Sequence, residues 1–266
     1  MSISSTVVDR AEIRFHAAAP LLQPYVGCFW IITAQCGATV RAVPDGTTSI
    51  SIELRGNHGF DGYLRGPLLR PLELRFSAPT ILIGVRLRPG VAFKLSGIPA
   101  HSMVDRRIPL QDCAVFRELV SLEPVPHTAT QWIAALQRLL IDRLEGAVLH
   151  PVVASALAEI HAEHGLISVA DVAARCETSE RHLGRLMRDW IGYGPKRYAG
   201  IVRFQATLAH MERAPALPAA TLATQIGYFD QAHMSVDVGR YAGATPGHLK
   251  SSHVADFSKT RCDVPF

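Results

Sequence analysis

The sequence predicts an α+β chain: a small β-barrel or two-sheet sandwich first, then an all-α domain carrying two helix-turn-helix units. Three observations predict it. Short segments of apolar–polar alternation occupy residues 21–95, and the pattern stops near Asp112. From Pro151 onward apolar residues recur at helical spacing instead. Within that half, a short helix, a tight turn and a second helix occur twice, about fifty residues apart.

Composition narrows the class. A chain of 266 residues with 48% hydrophobic content can build one or two domains with their own cores. No apolar run reaches eighteen residues, so no segment reads as a membrane span. The opening MSISSTVVDRAEIRFH lacks the basic-then-apolar layout of a secretion signal. The five cysteines (Cys28, Cys36, Cys113, Cys176, Cys262) are odd in number and form no CxxC. That argues against a disulfide scaffold or zinc knuckle and leads to a cytoplasmic expectation. Net charge is +4, a weak pull toward a polyanion. The local balance says more: Arg181, Arg185, Arg188, Lys196, Arg197 and Arg203 face only Glu180 and Asp189 in the same stretch.

In the N-terminal half, Phe29-Trp30-Ile31-Ile32 is an apolar run. Residues 49–55, 72–76 and 85–88 alternate strictly. Turn chemistry separates them at Pro44-Asp45-Gly46, Arg55-Gly56-Asn57, Phe60-Asp61-Gly62 and Arg88-Pro89-Gly90. A barrel of this size is filled by side chains or holds one small ligand. Arg86 and Arg88 read as projecting outward from an edge or partly solvated strand, with the holding of an anionic effector as the alternative. His16, His58, His101 and His127 stand apart without metal-ligand spacing, and no G-x-S-x-G elbow occurs. No catalytic residue, metal or cofactor is expected.

Pro124-Val125-Pro126 then breaks the chain, and Thr128 or Thr130 can cap a helix to about Glu145. Its stripe of Trp132, Leu136, Leu139, Leu140 and Leu144 needs a partner, either the barrel of the same chain or the same helix of a second chain. The expected division is a β-rich sensor domain at 1–112, a helical linker with a dimerising option at 113–149, a DNA-binding domain at 150–253 and a tail at 254–266.

Pro151 suits a first helical position, with Val153, Leu157 and Ile160 inward. Ser168 caps a short helix, and Ser179 caps the next. On that second helix Leu183, Leu186, Met187 and Trp190 form one stripe, and Arg181, Arg185 and Arg188 lie opposite. Such a basic face is ordinarily just solvated; the recurrence of the helix–turn–helix pattern downstream turns the reading toward DNA. Gly192-Tyr193-Gly194 closes the unit, and Pro195 opens a long helix to about Glu212. The second copy runs from Ala219 to Ile226, turns at Gly227 and is capped by Asp230. There Met234, Val238 and Tyr241 point inward, with Gln231 and Ser235 outward.

The run GYFDQAHMSVDVGRYAGATPGHLK (227–250), with SVADVAARCETSERHLGRLM and PKRYAGIVRFQATL upstream, resembles the C-terminal signature of AraC/XylS-type transcription regulators. PDGTTSISIEL and GVRLRPGVAFKLSGIPAHSMVDRRIPL resemble a cupin-like sensor domain that precedes this module in a subset of members. The resemblance implies seven helices, with the helix from Pro195 bridging two helix-turn-helix units. It places base-facing positions at Arg181, Gly184 and Arg185 in the first unit and at Gln231, Ala232, Ser235 and Val236 in the second. Arg203 matches an arginine that supports the backbone contact. His182 and His233 match histidine positions, His233 being divided between DNA contact and turn structure. The chain departs from the pattern at Glu177 (a turn glycine), Gly184 (a longer polar residue), Val236 (an arginine) and Val238 (an aromatic residue). These departures imply that the second unit mainly grips phosphates.

The expectation is a non-enzymatic regulator or activator, with double-stranded DNA and RNA polymerase as partners and a small-molecule effector in the N-terminal half. Two alternatives stay open: a DNA-binding protein whose barrel only makes a homodimer, and an alkyl-transfer repair enzyme with an appended DNA-binding module.

Overall fold

The computed structural model describes residues 2–8, 10–54 and 59–251. The turn expected at Arg55-Gly56-Asn57, His58, Cys262 and the tail at 254–266 lie outside them. Among the described residues the N-terminal half holds nine strands: β1 (Ser2–Val8), β2 (Ala11–His16), β3 (Val26–Ala34), β4 (Thr39–Ala42), β5 (Thr48–Leu54), β6 (Phe60–Arg65), β7 (Leu72–Arg75), β8 (Thr80–Leu87) and β9 (Arg107–Pro109). Helices α1 (Val91–Ser96), α2 (Arg117–Val120) and α3 (Ala129–Leu144) complete this half.

The strands form an antiparallel sheet in the order β1-β2-β3-β8-β5-β6-β9 and a separate β4-β7 ribbon. The sheet is open, so the arrangement is a sandwich and not a closed barrel. One face carries Phe29, Ile50, Ile52, Leu64, Ile83 and Val85 into a core shared with α3. The opposite face turns toward the ribbon. Over β2 and β3 it is filled by Ile13, Phe15, Trp30, Ile32, Val40 and Phe76. Over β8, β5, β6 and β9 it leaves a cavity of about 490 Å³.

Three expectations change. β8 is a central strand, paired with both β3 and β5, so Arg86 is buried beneath the ribbon and not projected outward. Arg88 sits past the end of β8, where its Nε donates to the Gln23 carbonyl at 2.8 Å. Phe60-Asp61-Gly62 is the start of β6 and not a turn. The glycine there answers a packing need: a Cβ on Gly62 would lie 2.6 Å from Leu110 Cδ1.

Thr128 is the cap of α3 and forms a capping box with Gln131. The whole stripe from Trp132 to Leu144 is buried in the β-domain core, and Trp132 meets Phe60 edge-on at 4.4 Å. The partner of α3 is thus its own chain, which leaves this stripe unavailable for pairing with a second copy.

The remainder is helical: α4 (Pro151–Ala162), α5 (Val169–Arg175), α6 (Glu180–Ile191), α7 (Pro195–Arg213), α8 (Ala219–Ile226), α9 (Gln231–Ala242) and α10 (Pro246–Ser251). Caps fall where local chemistry places them, at Ser168, Ser179 and Asp230, each accepting a backbone N–H of the first turn. Leu157, Leu183, Met187, Tyr198, Phe204, Leu222, Met234 and Tyr241 share one core.

That core also takes in Val43 from the β-domain. Beside it, Gln205 Nε2 donates to the Pro44 carbonyl at 2.6 Å. Gly46 (φ 80°) lies against Tyr198, where a Cβ would approach Cε2 to 2.6 Å. Tyr198 Oη is 2.8 Å from His161 Nε2, and burial pushes the His161 imidazole down to about 4, so it is neutral at pH 7.

Leu136→Ala removes a fully buried side chain from α3 and is expected to cost about 2–5 kcal/mol. Chemical denaturation at several protein concentrations checks it. A cost that varied with concentration would mean that α3 also seals a second chain.

Candidate nucleic-acid interface

The first unit is α5, a turn and α6. Glu177 occupies the turn in the left-handed region, φ 50°, which explains why a glycine suits this place. In α6 the buried stripe of Leu183, Leu186, Met187 and Ile191 leaves Arg181, Arg185 and Arg188 exposed. Among the described residues Arg181 makes no ion pair, and Arg185 is held only loosely. Its guanidinium lies 3.9 Å from Asp189 and 3.3 Å from His182 Nδ1, both one turn away on the same helix. An exposed pair at that distance contributes little, so Arg185 is free to exchange it for a stronger acceptor. A Cβ on Gly184 would touch the Arg188 guanidinium at 3.8 Å, so the missing side chain gives Arg188 room beside Arg185.

The two ends of α6 have different surroundings. Its C-terminal end is seated on the β-domain: Trp190 packs edge-on to Phe93 at 4.8 Å, and Asp189 lies 3.4 Å from His101 Nδ1. Gly192 (φ 101°) closes the helix against Pro67 and Val104. The end bearing Arg181 and Arg185 stays open to solvent.

The second unit is α8, Gly227 (φ 81°) and α9. Gln231 and Ala232 are exposed at the start of α9. The half-buried Ser235 donates its hydroxyl to the Gln231 carbonyl at 2.8 Å, leaving its oxygen as an acceptor. His233 is exposed and meets Tyr228 edge-on at 5.2 Å, so it both braces the turn and faces solvent. Val236 is 58% exposed, and Phe229, in the turn ahead of the cap, is 92% exposed. Phe229 was missed from sequence: an aromatic residue next to the buried Tyr228 reads as one more core residue.

Arg203, expected at the interface, is instead an internal tie. Its Nη2 lies 3.2 Å from Asp237, its Nη1 reaches the Gly165 carbonyl at 3.5 Å, and its guanidinium covers the Tyr228 ring at 4.9 Å. The reason is Asp237, a carboxylate 5% exposed on the inner side of α9. A buried carboxylate needs a cation, and Arg203 on α7 supplies it while Arg240 adds a second at 3.5 Å. The signal in the sequence was an acidic residue beside Val238 on the apolar stripe.

Of the β-domain cysteines, Cys36 is exposed with its thiol 3.2 Å from the Ser77 carbonyl, and the other two lie in the two apolar layers. Cys28 and Cys113 are buried there, and burial pushes the Cys113 thiol up, away from the thiolate that alkyl transfer requires.

Comparison with known proteins agrees with this geometry. Residues 172–252 match the profile of a helix-turn-helix domain, and residues 14–109 match a domain of unknown function (DUF6597). Proteins named as AraC-like transcription regulators from Streptomyces antibioticus and Streptomyces lividans are each 30% identical over 131 residues, 48% of this chain. The helical half thus matches a helix-turn-helix domain, and part of the chain is similar to AraC-like regulators. The stretch matched to this AraC-type pair spans 39% and 38% of the two relatives. Among solved structures, ToxT from Vibrio cholerae aligns over 84% of this chain and 97% of its own, with 10% identity and a TM-score of 0.44.

Two outcomes are expected in urea unfolding. Asp237→Ala strands Arg203 and destabilises the helical domain by about 3 kcal/mol, against less than about 1 kcal/mol for the exposed Arg240→Ala. Glu177→Gly relieves a left-handed residue and stabilises by about 0.5–1 kcal/mol; a loss of stability would contradict the strain.

Proposed function

We propose that this protein is a transcription regulator that binds double-stranded DNA through α6 and α9 and responds to a small molecule held in its β-domain. The observation that carries the reading is the asymmetry of α6. Its arginine-bearing end is free, and its other end is seated on the domain that contains the cavity.

The spacing supports it. Nineteen residues of α7 span about 28 Å at 1.5 Å each, and successive major grooves on one duplex face lie roughly 34 Å apart. Arg181 and Arg185 suit guanine O6 and N7, and Gln231 suits an adenine edge. Val236 and Phe229 supply apolar contact of the kind a thymine methyl accepts, so the second unit reads bases as well as gripping phosphates. RNA polymerase and promoter DNA are the natural partners of such a regulator, and a ligand acts on them only by favouring one arrangement of the two domains. The DNA-binding module is taken to begin at about residue 150, and its buried residues from Val153 onward share their core with Val43 of the β-domain.

Selection from random DNA fragments with the full chain would define the site. On that site Arg185→Ala is expected to lose about 1–3 kcal/mol of discrimination at one base pair while the salt dependence is nearly unchanged. Equal weakening on every sequence would reduce Arg185 to a phosphate contact, and no affinity at low salt would overturn the regulator reading.

A further inference from the structure

The strand register lays three arginines side by side on the floor of the cavity between the sheets. Arg86 on β8 is opposite Ser49 on β5, Ser49 is opposite Arg65 on β6, and Arg65 is opposite Arg107 on β9. Side chains opposite one another in adjacent strands share a face, at strand spacings of about 4.8 Å. The row beside it is flat and apolar: Gly84 lies between Trp30 and Ser51, and Ser51 is opposite Tyr63. The Trp30 indole lies against Gly84 where any side chain would collide with it.

Like charges placed directly opposite one another destabilise a sheet, so the row calls for anions. Arg86 has Asp45 at 3.6 Å. The other carboxylates near the cavity are mostly engaged elsewhere. Glu73 is taken by Arg41 at 2.6 Å and Arg75 at 2.8 Å, and Asp105 accepts the Leu69 N–H at 2.7 Å. Arg107 stacks over the Tyr63 ring at 4.1 Å, a contact to a ring face and not to a carboxylate. Among the described residues no carboxylate forms an ion pair with Arg65 or Arg107. Arg65 is half-buried, and burial together with the Arg107 charge pushes its guanidinium below the usual arginine range.

We propose that this cavity binds a small organic anion with a flat apolar body, its charge held by Arg65 and Arg107 and its body laid against Trp30 and Tyr63. This names the ligand class for the effector role given above and rests on that reading only for what binding accomplishes. The volume suits a ligand of that kind. The wall of the site leads to the DNA-binding domain. Asp45, which compensates Arg86, sits in the loop that sends Val43 into the helical core and places Gly46 on Tyr198.

Calorimetric titration of the full chain with phthalate, and with neutral phthalamide of the same outline, tests the site without DNA. Phthalate is expected to bind at least roughly tenfold more tightly than phthalamide, because charge-assisted hydrogen bonds to guanidinium are the stronger kind. Arg65→Gln and Arg107→Gln are each expected to weaken phthalate by roughly tenfold or more, and the remote Arg14→Gln to leave it unchanged. Far-UV circular dichroism establishes that the variants fold; if Arg65→Gln does not, the exposed Arg107→Gln decides. No phthalate binding at concentrations on the order of 10 mM, equal affinity for phthalamide, or unchanged affinity in the variants overturns the proposal. A chain that takes phthalate but no DNA defeats the regulator reading alone, and the converse defeats only the anion site.

Discussion

The loop of residues 43–47 does two incompatible-looking jobs over five residues. Asp45 faces the cavity, where its carboxylate lies 3.6 Å from the buried Arg86. Val43, the Pro44 carbonyl and Gly46 face the other way, into the helices of the C-terminal half. Neither side tolerates much change. A Cβ at 46 would enter the Tyr198 ring, and the left-handed backbone there favours glycine in any case. Packed interiors pass displacement on instead of absorbing it, and this loop is the packing element that the cavity wall and α7 share.

A second constraint acts within the helical half. Two short helical units must hold a fixed spacing, yet each buries only a narrow apolar stripe. The long helix α7 supplies the spacing, and the contact between Arg203 and Asp237 ties it to α9 through a partly desolvated ion pair. Removing either charge leaves the other without its counterion, so the tie is costly to break even where it adds little net stability. The open ends of α6 and α9 therefore rest on a rigid frame, while their outward residues stay exposed and weakly engaged. This is the condition for reading a ligand without first dismantling the protein.

Much of this was legible in residue order because it is governed by local chemistry. Helix caps at Ser168, Ser179 and Asp230, closing glycines at Gly192 and Gly227 and the stripe on α3 depend on neighbours within a few positions. Periodicity reports those directly. Where tertiary choice intervened, residue order misled. The alternation at 85–88 says that Arg86 lies on the opposite face from Val85 and Leu87, but not whether that face meets water or another sheet. Gly62 looks like a turn residue until Leu110 is packed over it. Asp237 looks like a surface acid until α9 is laid on α7, and with it Arg203 changes from an interface residue to an internal one.

By itself the sequence determined the helical module, its two units, and the polar and cationic residues that lead each recognition helix, since amphipathic period and capping are short-range properties. Only the tertiary structure decided that the β-domain is an open sandwich with an arginine row beneath it, that α3 is sealed by its own chain, and that α6 is held at one end. Those outcomes turn on strand register and face-to-face packing between segments tens to hundreds of residues apart. A one-residue slip in register would send every side chain of a strand to the other face, and nothing in local composition reports which register prevails.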